Sequence, residues 1–133
     1  MTSVDRGVWL APEGLTGEQV GALGPRLETL GYSTLWVGET MGRDPFALLA
    51  HVGARTSALK LATGIANIYN RHPGVMLQGA NTVAEQTGGR MILGLGVSSP
   101  VIVNKVRGIE YDKPLSFLKT YLDGMEASRY SSV

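Results

Sequence analysis

The sequence predicts an α/β fold with a parallel sheet, on two observations. Strand-like and helix-like segments alternate along the chain, and strand starts recur near residues 7, 34, 59 and 91. Parallel neighbours need a long connection, and units of about 25 to 32 residues leave room for a helix in each. An open doubly wound sheet and part of a (β/α)8 barrel both fit. Because a complete barrel takes about 250 residues, the 133 residues would hold half of one.

The first unit has clear capping signals. GVWLA at 7–11 is predicted as strand one, and Thr16 with Gln19 has the spacing of a capping box at a helix start. Pro25 within this helix predicts a kink or a late start, and Gly31 suits the helix end. The apolar positions at helical spacing are Val20, Leu23, Leu27 and Leu30.

The second and third units follow the same plan. STLWVGE at 33–39 is predicted as strand two, and Asp44 before Pro45 predicts the N-cap and first turn of the helix PFALLAHVGART. LKLATGIAN at 59–67 is predicted as strand three. Pro73 then opens the helix PGVMLQGANTVAEQT.

The fourth unit starts after Gly88 and Gly89, which end the third helix. MILGLGV at 91–97 is predicted as strand four, and an irregular stretch leads to Pro114, which opens the helix PLSFLKTYLDGMEA. The predicted apolar face of this helix consists of Leu115, Leu118 and Leu122. No linker or low-complexity segment interrupts the chain, so residues 1–133 are predicted to be a single domain.

Composition excludes several classes of function. The net charge is +1 and no lysine or arginine cluster is present, which argues against nucleic-acid binding and against attachment to an anionic membrane surface. There is no cysteine, and the two histidines fall in different units, so no metal site is expected. With no signal-peptide pattern and no apolar run of about 18 residues, we expect a cytoplasmic protein.

Polar side chains follow the predicted strands at their carboxyl ends, where parallel α/β folds bind ligands. Glu39 and Thr40 follow strand two, and Ser98 follows strand four. The group after strand three is Asn67, Asn70, Arg71 and His72. Alternatives stay open: Glu39 could simply pair with Arg43 or Arg71, His72 could be a loop histidine, and GLGVSS is a weak dinucleotide signal because it lacks a third glycine.

Four motifs in order resemble the luciferase-like monooxygenase family. They are LGYSTLWVGE, LATGIANIYNRHP, QGANTVAEQTGGRMILGLGVSS and GIEYDKPLSFLKTYLDGME, and together they extend the resemblance over residues 7–127. Within the family, they resemble the actinobacterial branch that uses coenzyme F420, a deazaflavin. The resemblance implies a (β/α)8 TIM barrel, of which the chain contains the first four βα units, a half barrel.

The resemblance also implies a site at the barrel mouth. Related enzymes carry a non-proline cis peptide bond that backs the cofactor ring, at the position of Gly64 and Ile65. Some deazaflavin dehydrogenases have a histidine where Thr40 stands here, which puts proton transfer by that route in question. Together with the residues at the strand ends, the catalytic candidates are Glu39, Thr40 and His72. The cofactor-binding candidates are Trp9, Gly64, Ile65, Asn67, Arg71, Gly96, Val97 and Ser98.

The implied activity is hydride transfer between coenzyme F420 and a small organic substrate, with an FMN-dependent monooxygenase as the alternative within the family. A hypothesis of another class is a non-catalytic half-barrel remnant or interaction module. Half a barrel cannot cover its own interior, so we expect a homo-oligomer or a complementary half-barrel chain as partner.

Overall fold

Four βα units follow one another in the computed structural model, which describes residues 5–130. The strands are β1 Gly7–Leu10, β2 Thr34–Val37, β3 Lys60–Thr63, β4 Ala66–Asn67, β5 Met91–Ile92 and β6 Leu95–Gly96. The helices are α1 Gly17–Thr29, α2 Pro45–Gly53, α3 Pro73–Gln86 and α4 Pro114–Ala127. The predicted alternation of strands and helices is therefore confirmed.

The sheet is parallel throughout, in the order β1-β2-β3-β5, and β4 pairs with β6 beyond it. One row of paired residues runs across the sheet: Val8, Leu35, Leu61 and Met91. Successive helices contact each other, α1 with α2, α2 with α3 and α3 with α4. The predicted order of four parallel strands is confirmed, because β3 with β4 and β5 with β6 make up the third and fourth.

Strands three and four are interrupted, whereas the sequence predicted each as one continuous segment. The third breaks at the peptide bond between Gly64 and Ile65, which is cis, and the fourth breaks before Leu95. The Thr63 hydroxyl joins the two breaks: it donates to Gly94 O at 2.8 Å and accepts from Gly94 N at 2.9 Å. A side chain there would not fit, since a Cβ on Gly94 would lie 2.1 Å from Thr63 O. The side-chain bonds replace the backbone ladder at this point.

The helix starts follow the local capping signals. Thr16 and Gln19 form the predicted capping box, with hydrogen bonds of 2.8 and 3.2 Å, and Asp44 caps α2 through Ala47 N at 2.9 Å. Helix α1 begins at Gly17 and passes through Pro25, so the predicted late start is wrong. Helix α2 ends at Gly53 instead of continuing to Thr56, and the carbonyls of these two residues accept hydrogen bonds from the Arg90 guanidinium.

The core lies between the sheet and the helices, and two predicted apolar faces are partly wrong. The residue that α4 buries is Tyr121, which is 3% exposed, while Leu115 is 78% exposed and Leu122 lies largely in solvent. Leu30, at the end of α1, is also exposed. Fully buried core side chains come from both layers and include Val20, Leu35, Leu49, Val52, Leu61, Ile68 and Met76.

Two further features frame the site. The stretch predicted as irregular contains a π-helical segment, Val101–Val106, after β6. The face of the sheet opposite the helices leaves Trp9 57% and Ile92 37% exposed. Within residues 5–130, no helix combines the length and the apolar character needed to cross a membrane.

Candidate functional site

A cleft of about 220 Å³ lies where the carboxyl ends of the strands converge. It collects Trp9 of β1 and residues that follow β2, β3 and β6, as expected for a site in a parallel sheet. The lining residues are Trp9, Gly38, Glu39, Thr40, Gly64, Ile65, Ser98 and Ile102. Six of these eight are among the residues that the sequence singled out.

The floor of the cleft is shaped by glycines. The Trp9 indole N–H donates to Gly64 O at 2.5 Å, and the cis bond between Gly64 and Ile65 lies at the position that the family resemblance implies. A Cβ on Gly38 would lie 2.7 Å from Trp9 Cζ2, and a Cβ on Gly96 would lie 2.7 Å from Ile65 Cγ1. No larger side chain fits at either glycine unless its neighbour moves, so the backbone there packs directly against Trp9 and Ile65.

The Glu39 carboxylate is engaged inside the protein. Its Oε2 accepts from Asn67 N at 2.8 Å and from Arg71 Nη1 at 2.7 Å, and its side chain is only 6% exposed. Of the two partners open to Glu39 on sequence, Arg71 is therefore the one used. Arg43 instead donates to the carbonyls of Pro12 and Leu15 in the loop after β1.

Arg71 bridges two carboxylates and does not line the cleft. Its Nη2 contacts Asp44 Oδ2 at 2.5 Å while Nη1 binds Glu39, and its guanidinium lies 5.1 Å from the centre of the Phe46 ring. Burial lowers the pKa of Arg71, but Glu39 and Asp44 outweigh that effect and raise it. Burial likewise raises the pKa of Asp44, yet hydrogen bonds from Ala47 N and Arg71 bring it below its usual value. Arg71 and Asp44 therefore both stay charged at neutral pH.

Two buried polar atoms on the segment that follows the cis bond have no hydrogen-bond partner among residues 5–130: Asn67 Nδ2 and Tyr69 OH. The Asn67 amide orientation is defined, because Oδ1 accepts from Tyr69 N at 3.0 Å and only the oxygen can do so. Burial raises the pKa of Tyr69, with Tyr111 and Asp112 adding to the effect, so the hydroxyl keeps its proton. Because buried polar groups are almost always paired, both atoms point to a water or a ligand.

The remaining predicted residues have different surroundings. His72 is exposed, and its Nδ1 accepts from Gly74 N at 3.2 Å as the N-cap of α3. The Thr40 hydroxyl lines the cleft and donates to the Glu13 carboxylate. Ser98 has a positive φ of 58°, and Val97 packs partly against the core.

Sequence reasoning missed several groups around the cleft. Glu13 and Arg107 reach Thr40 from the loops after β1 and β6; Arg107 Nη2 donates to Thr40 O at 3.2 Å. Tyr121 OH donates to Arg71 O at 2.8 Å. Tyr121 lies three residues after Leu118 on one face of α4. Including tyrosine among the apolar residues of this helix would therefore have predicted that Tyr121 is buried. No sequence pattern around Glu13 or Arg107 predicts that they contact Thr40.

The sequence is similar to known proteins of one family. A family model described as luciferase-like monooxygenase matches residues 1–130. A Mycobacterium tuberculosis protein named as a coenzyme F420-dependent oxidoreductase is 35% identical over 96 residues, which are 72% of this chain and 28% of that protein.

Solved structures share the fold. The coenzyme F420 dependent tetrahydromethanopterin reductase from Methanopyrus kandleri aligns with a TM-score of 0.74 at 27% identity, over 81% of this chain and 31% of that one. The oxygenating constituent of 3,6-diketocamphane monooxygenase from Pseudomonas putida, solved with FMN, aligns with a TM-score of 0.80 at 17% identity, over 92% and 38%. The chain thus spans about a third of the length of the proteins it matches.

Proposed function

The chain belongs to the luciferase-like monooxygenase family, and we propose that it is the amino-terminal half of a barrel that binds coenzyme F420 for hydride transfer to or from a small organic substrate. The four parallel βα units are of the (β/α)8 type that the family has. The observation that carries the proposal is the cleft whose floor is the cis segment Gly64–Ile65 between Gly38 and Gly96.

The residues present fit a flat tricyclic ring. Gly38 and Gly96 let Trp9 and Ile65 lie directly against the backbone, and Trp9 provides an exposed aromatic surface at the mouth. Two residues beyond Ile65, the Asn67 amide nitrogen, which has no partner among residues 5–130, offers a donor suited to a carbonyl oxygen. At about 220 Å³ the cleft is smaller than the usual 300–1,000 Å³ of a complete ligand site, as expected when four of eight loops form it.

Each candidate residue takes a distinct role in this proposal. Gly64, Ile65 and Gly96 support the ring, and Val97 and Ser98 lie where the ring or the tail of the cofactor would pass. Glu39 and Arg71 hold the segment that carries Asn67. The cofactor supplies the hydride chemistry when bound, and the protein supplies orientation and exclusion of water.

Among the three catalytic candidates, Thr40 has the surroundings that best suit contact with a ligand. Its hydroxyl lines the cleft and is bonded to the Glu13 carboxylate, which can take up a proton from it or orient it. Glu39 is occupied by two internal donors, and His72 caps α3. We therefore assign proton handling to Thr40 before Glu39 or His72.

Coenzyme F420 is preferred over FMN because of the pattern of likeness. The relatives named for F420 are 35% and 27% identical to this chain, whereas the FMN-containing structure at 17% identity informs only the fold. FMN monooxygenation is the second candidate, since members of both kinds share the barrel. Parallel titrations with F420 and FMN separate the two, and tighter binding of FMN would reverse the preference.

The chain alone should bind cofactor weakly. Barrels commonly hold phosphate by the loops after strands seven and eight, and this sequence contains four units. Each charge-assisted hydrogen bond is worth about 1.5–3 kcal/mol, so two or three fewer weaken binding by roughly a hundredfold or more. Fluorescence titration with oxidised and reduced F420 tests this: submicromolar affinity would show a complete site in this half, and no binding at millimolar cofactor would contradict the proposed function.

We also propose that the exposed face of the sheet is covered by a complementary half-barrel chain or a second copy. Trp9 and Ile92 are exposed there, and within residues 5–130 β1 pairs with β2 alone. An uncovered apolar face with open strand edges favours association. Light scattering decides the matter for the isolated chain: a folded monomer across the micromolar range would contradict self-association. A chain that neither associates nor binds cofactor would favour the remnant hypothesis.

A further inference from the structure

We propose that Tyr121 on α4 is a positioning residue for the segment 64–67, acting through Arg71 and Glu39. The inference rests on the proposed function for its ligand readout, because segment 64–67 is the part of the cleft assigned to the cofactor. Tyr121 lies 50 positions along the chain from the residue it contacts, in the outer helical layer.

The first link joins α4 to the backbone before α3. The Tyr121 hydroxyl is part of a side chain that is almost fully buried, and it donates to Arg71 O at 2.8 Å. Phe117 packs edge-on against the Tyr121 ring, with centroids 6.1 Å apart, and stacks on Tyr69 at 4.6 Å. The tyrosine ring is therefore held on one side by its own helix and directed at Arg71.

The second link runs from Arg71 to the cleft segment through Glu39. Arg71 Nη1 donates to Glu39 Oε2 at 2.7 Å, and the same oxygen accepts from Asn67 N at 2.8 Å. Glu39 N donates to Ile65 O at 3.1 Å. Glu39 thus holds the backbone of the segment at two points, one on each side of Ala66, and Arg71 determines where its carboxylate lies.

Tyr121 is the point at which α4 enters this relay. Among residues 5–130, its hydroxyl makes the single side-chain hydrogen bond from α4 to residues 64–72. Two further contacts between α4 and this region are apolar: Phe117 stacks on Tyr69, and Gly124 lies against the neighbouring Pro73 ring. Burial raises the pKa of Tyr121 to about 12, with Arg71 opposing and Glu39 reinforcing the shift, so the hydroxyl is a donor at every working pH.

The protein contains its own reporter for the segment. The sequence has two tryptophans, and both border Gly64: the Trp9 indole N–H donates to Gly64 O, and the Trp36 ring lies 3.4 Å from the position of a Cβ there. A shift of the segment changes the environment of both rings. Tryptophan emission and its quenching by acrylamide therefore measure the relay without any cofactor.

The experiment compares Tyr121→Phe with Tyr130→Phe in the full chain. Tyr130→Phe is the matched control, because it also removes one hydroxyl, bonded to Glu85 Oε2 at 3.2 Å on α3. We expect Tyr121→Phe to increase acrylamide quenching and to raise the Kd for F420 about three- to tenfold, the size expected for one hydrogen bond. Tyr130→Phe should leave both values at wild type. Wild-type quenching together with wild-type Kd in folded Tyr121→Phe would overturn the proposal.

A second variant keeps the test decisive if Tyr121→Phe is poorly folded. Arg71→Lys keeps a positive charge but cannot span both Glu39 and Asp44, so it should produce the same change in quenching. In the Arg71→Lys background, Tyr121→Phe should add little, because the two residues act in series. Fully additive effects would show that Tyr121 acts on stability alone, against the proposal.

The two proposals can fail separately. If the wild-type chain binds no F420, the proposed function fails, while the tryptophan comparison in the cofactor-free protein still decides whether Tyr121 positions the segment. If F420 binds and Tyr121→Phe changes neither readout, the cofactor site stands and the relay falls.

Discussion

The polar groups at the two ends of the sheet differ in how completely they are hydrogen-bonded. At the amino-terminal end, Arg90 donates all five of its N–H groups, at 2.8–3.0 Å, to Gly53 O, Leu59 O, Thr87 O and both oxygens of Thr56. Nearby, Glu28 Oε1 accepts three backbone N–H groups at 2.6–2.9 Å, from Ser57, Ala58 and Leu59. At the carboxyl end, Asn67 Nδ2 and Tyr69 OH have no partner in the described part of the chain.

This difference separates the part of the chain that holds the fold from the part suited to a ligand. A saturated network fixes the loops between strands and leaves nothing for a ligand to bind. Unpaired buried donors lower stability unless something binds to them. The comparison therefore predicts large stability losses and little effect on binding at the amino-terminal end, with the reverse at the carboxyl end.

The largest effect should come from Arg90→Met. Removing the guanidinium takes a donor from four backbone carbonyls and from the Thr56 hydroxyl, although Gly53 O still accepts from Thr56 N at 3.3 Å. We expect a loss of about 3–5 kcal/mol in the free energy of unfolding. Urea denaturation measures it. Arg129→Met, at an exposed arginine, is the control and should stay within about 0.5 kcal/mol of wild type. A loss below 1 kcal/mol for Arg90→Met would break the comparison.

The second largest effect should be a loss of stability at alkaline pH, caused by Tyr121 at the carboxyl end of the sheet. Burial, opposed by the Arg71 charge and reinforced by Glu39, raises the pKa of Tyr121 from its ordinary 10 to about 12. The unfolded chain therefore loses this proton first, so stability declines as pH rises from about 10 to about 12, by about 2–3 kcal/mol. Unfolding free energies of wild type and Tyr121→Phe from pH 9 to 12 test this. Parallel curves for the two proteins would contradict it.

Acid pH should act on both ends through lowered pKa values. Burial raises the pKa of Glu28, but three backbone N–H groups and Arg90 bring it below its usual value. The pKa of Asp44 is also below its usual value, because hydrogen bonds from Ala47 N and Arg71 outweigh the effect of burial. The native state holds these protons less tightly than the unfolded chain. Their contribution is present above the unfolded pKa and is lost as pH falls through the native pKa. Glu28→Gln should flatten the acid limb of the stability curve.

A smaller effect on stability, with a larger one on binding, is expected for Gly96→Ala. The new Cβ would lie 2.7 Å from Ile65 Cγ1, and relieving that contact costs about 1–3 kcal/mol and displaces the cleft floor. Gly14→Ala is the control, because nothing lies within 4 Å of its Cβ position. Urea denaturation of both variants measures the free energy of unfolding, and F420 titration measures the Kd. Unchanged cofactor binding in Gly96→Ala would argue against the floor as a ring site.

The smallest expected change in the free energy of unfolding is a gain in stability, for Tyr69→Phe. Tyr69→Phe removes a buried hydroxyl that has no partner among residues 5–130, and we expect stabilisation of about 1 kcal/mol. The ring contacts with Phe117 and Tyr111 are kept. Tyr121→Phe, whose hydroxyl is bonded, should instead destabilise the protein by a similar amount. Destabilisation by Tyr69→Phe would mean that a bound water already satisfies this hydroxyl.

Much of the fold could be predicted because its signals are local. The capping box at Thr16 and the Asp44 cap depend on residues within about four places of each other, and the structure has them as predicted. Of the polar residues predicted to share one mouth, Glu39, Thr40 and Ser98 line one cleft, whereas Asn67 and Arg71 do not line it, and the functional roles of all of them stay predictions. The family resemblance located the cis bond at Gly64, which periodicity could not do.

The sequence by itself determined the order of βα units, the helix starts and the positions of the strand-end side chains. Only the tertiary structure decided that Arg71 joins Glu39 to Asp44, that Tyr121 is the buried residue of α4, and that Thr63 and Gly94 interrupt two strands. These contacts join residues 27 to 50 positions apart. Hydrogen-bond partners at such distances depend on which loops the sheet brings together, and neither periodicity nor capping contains that information.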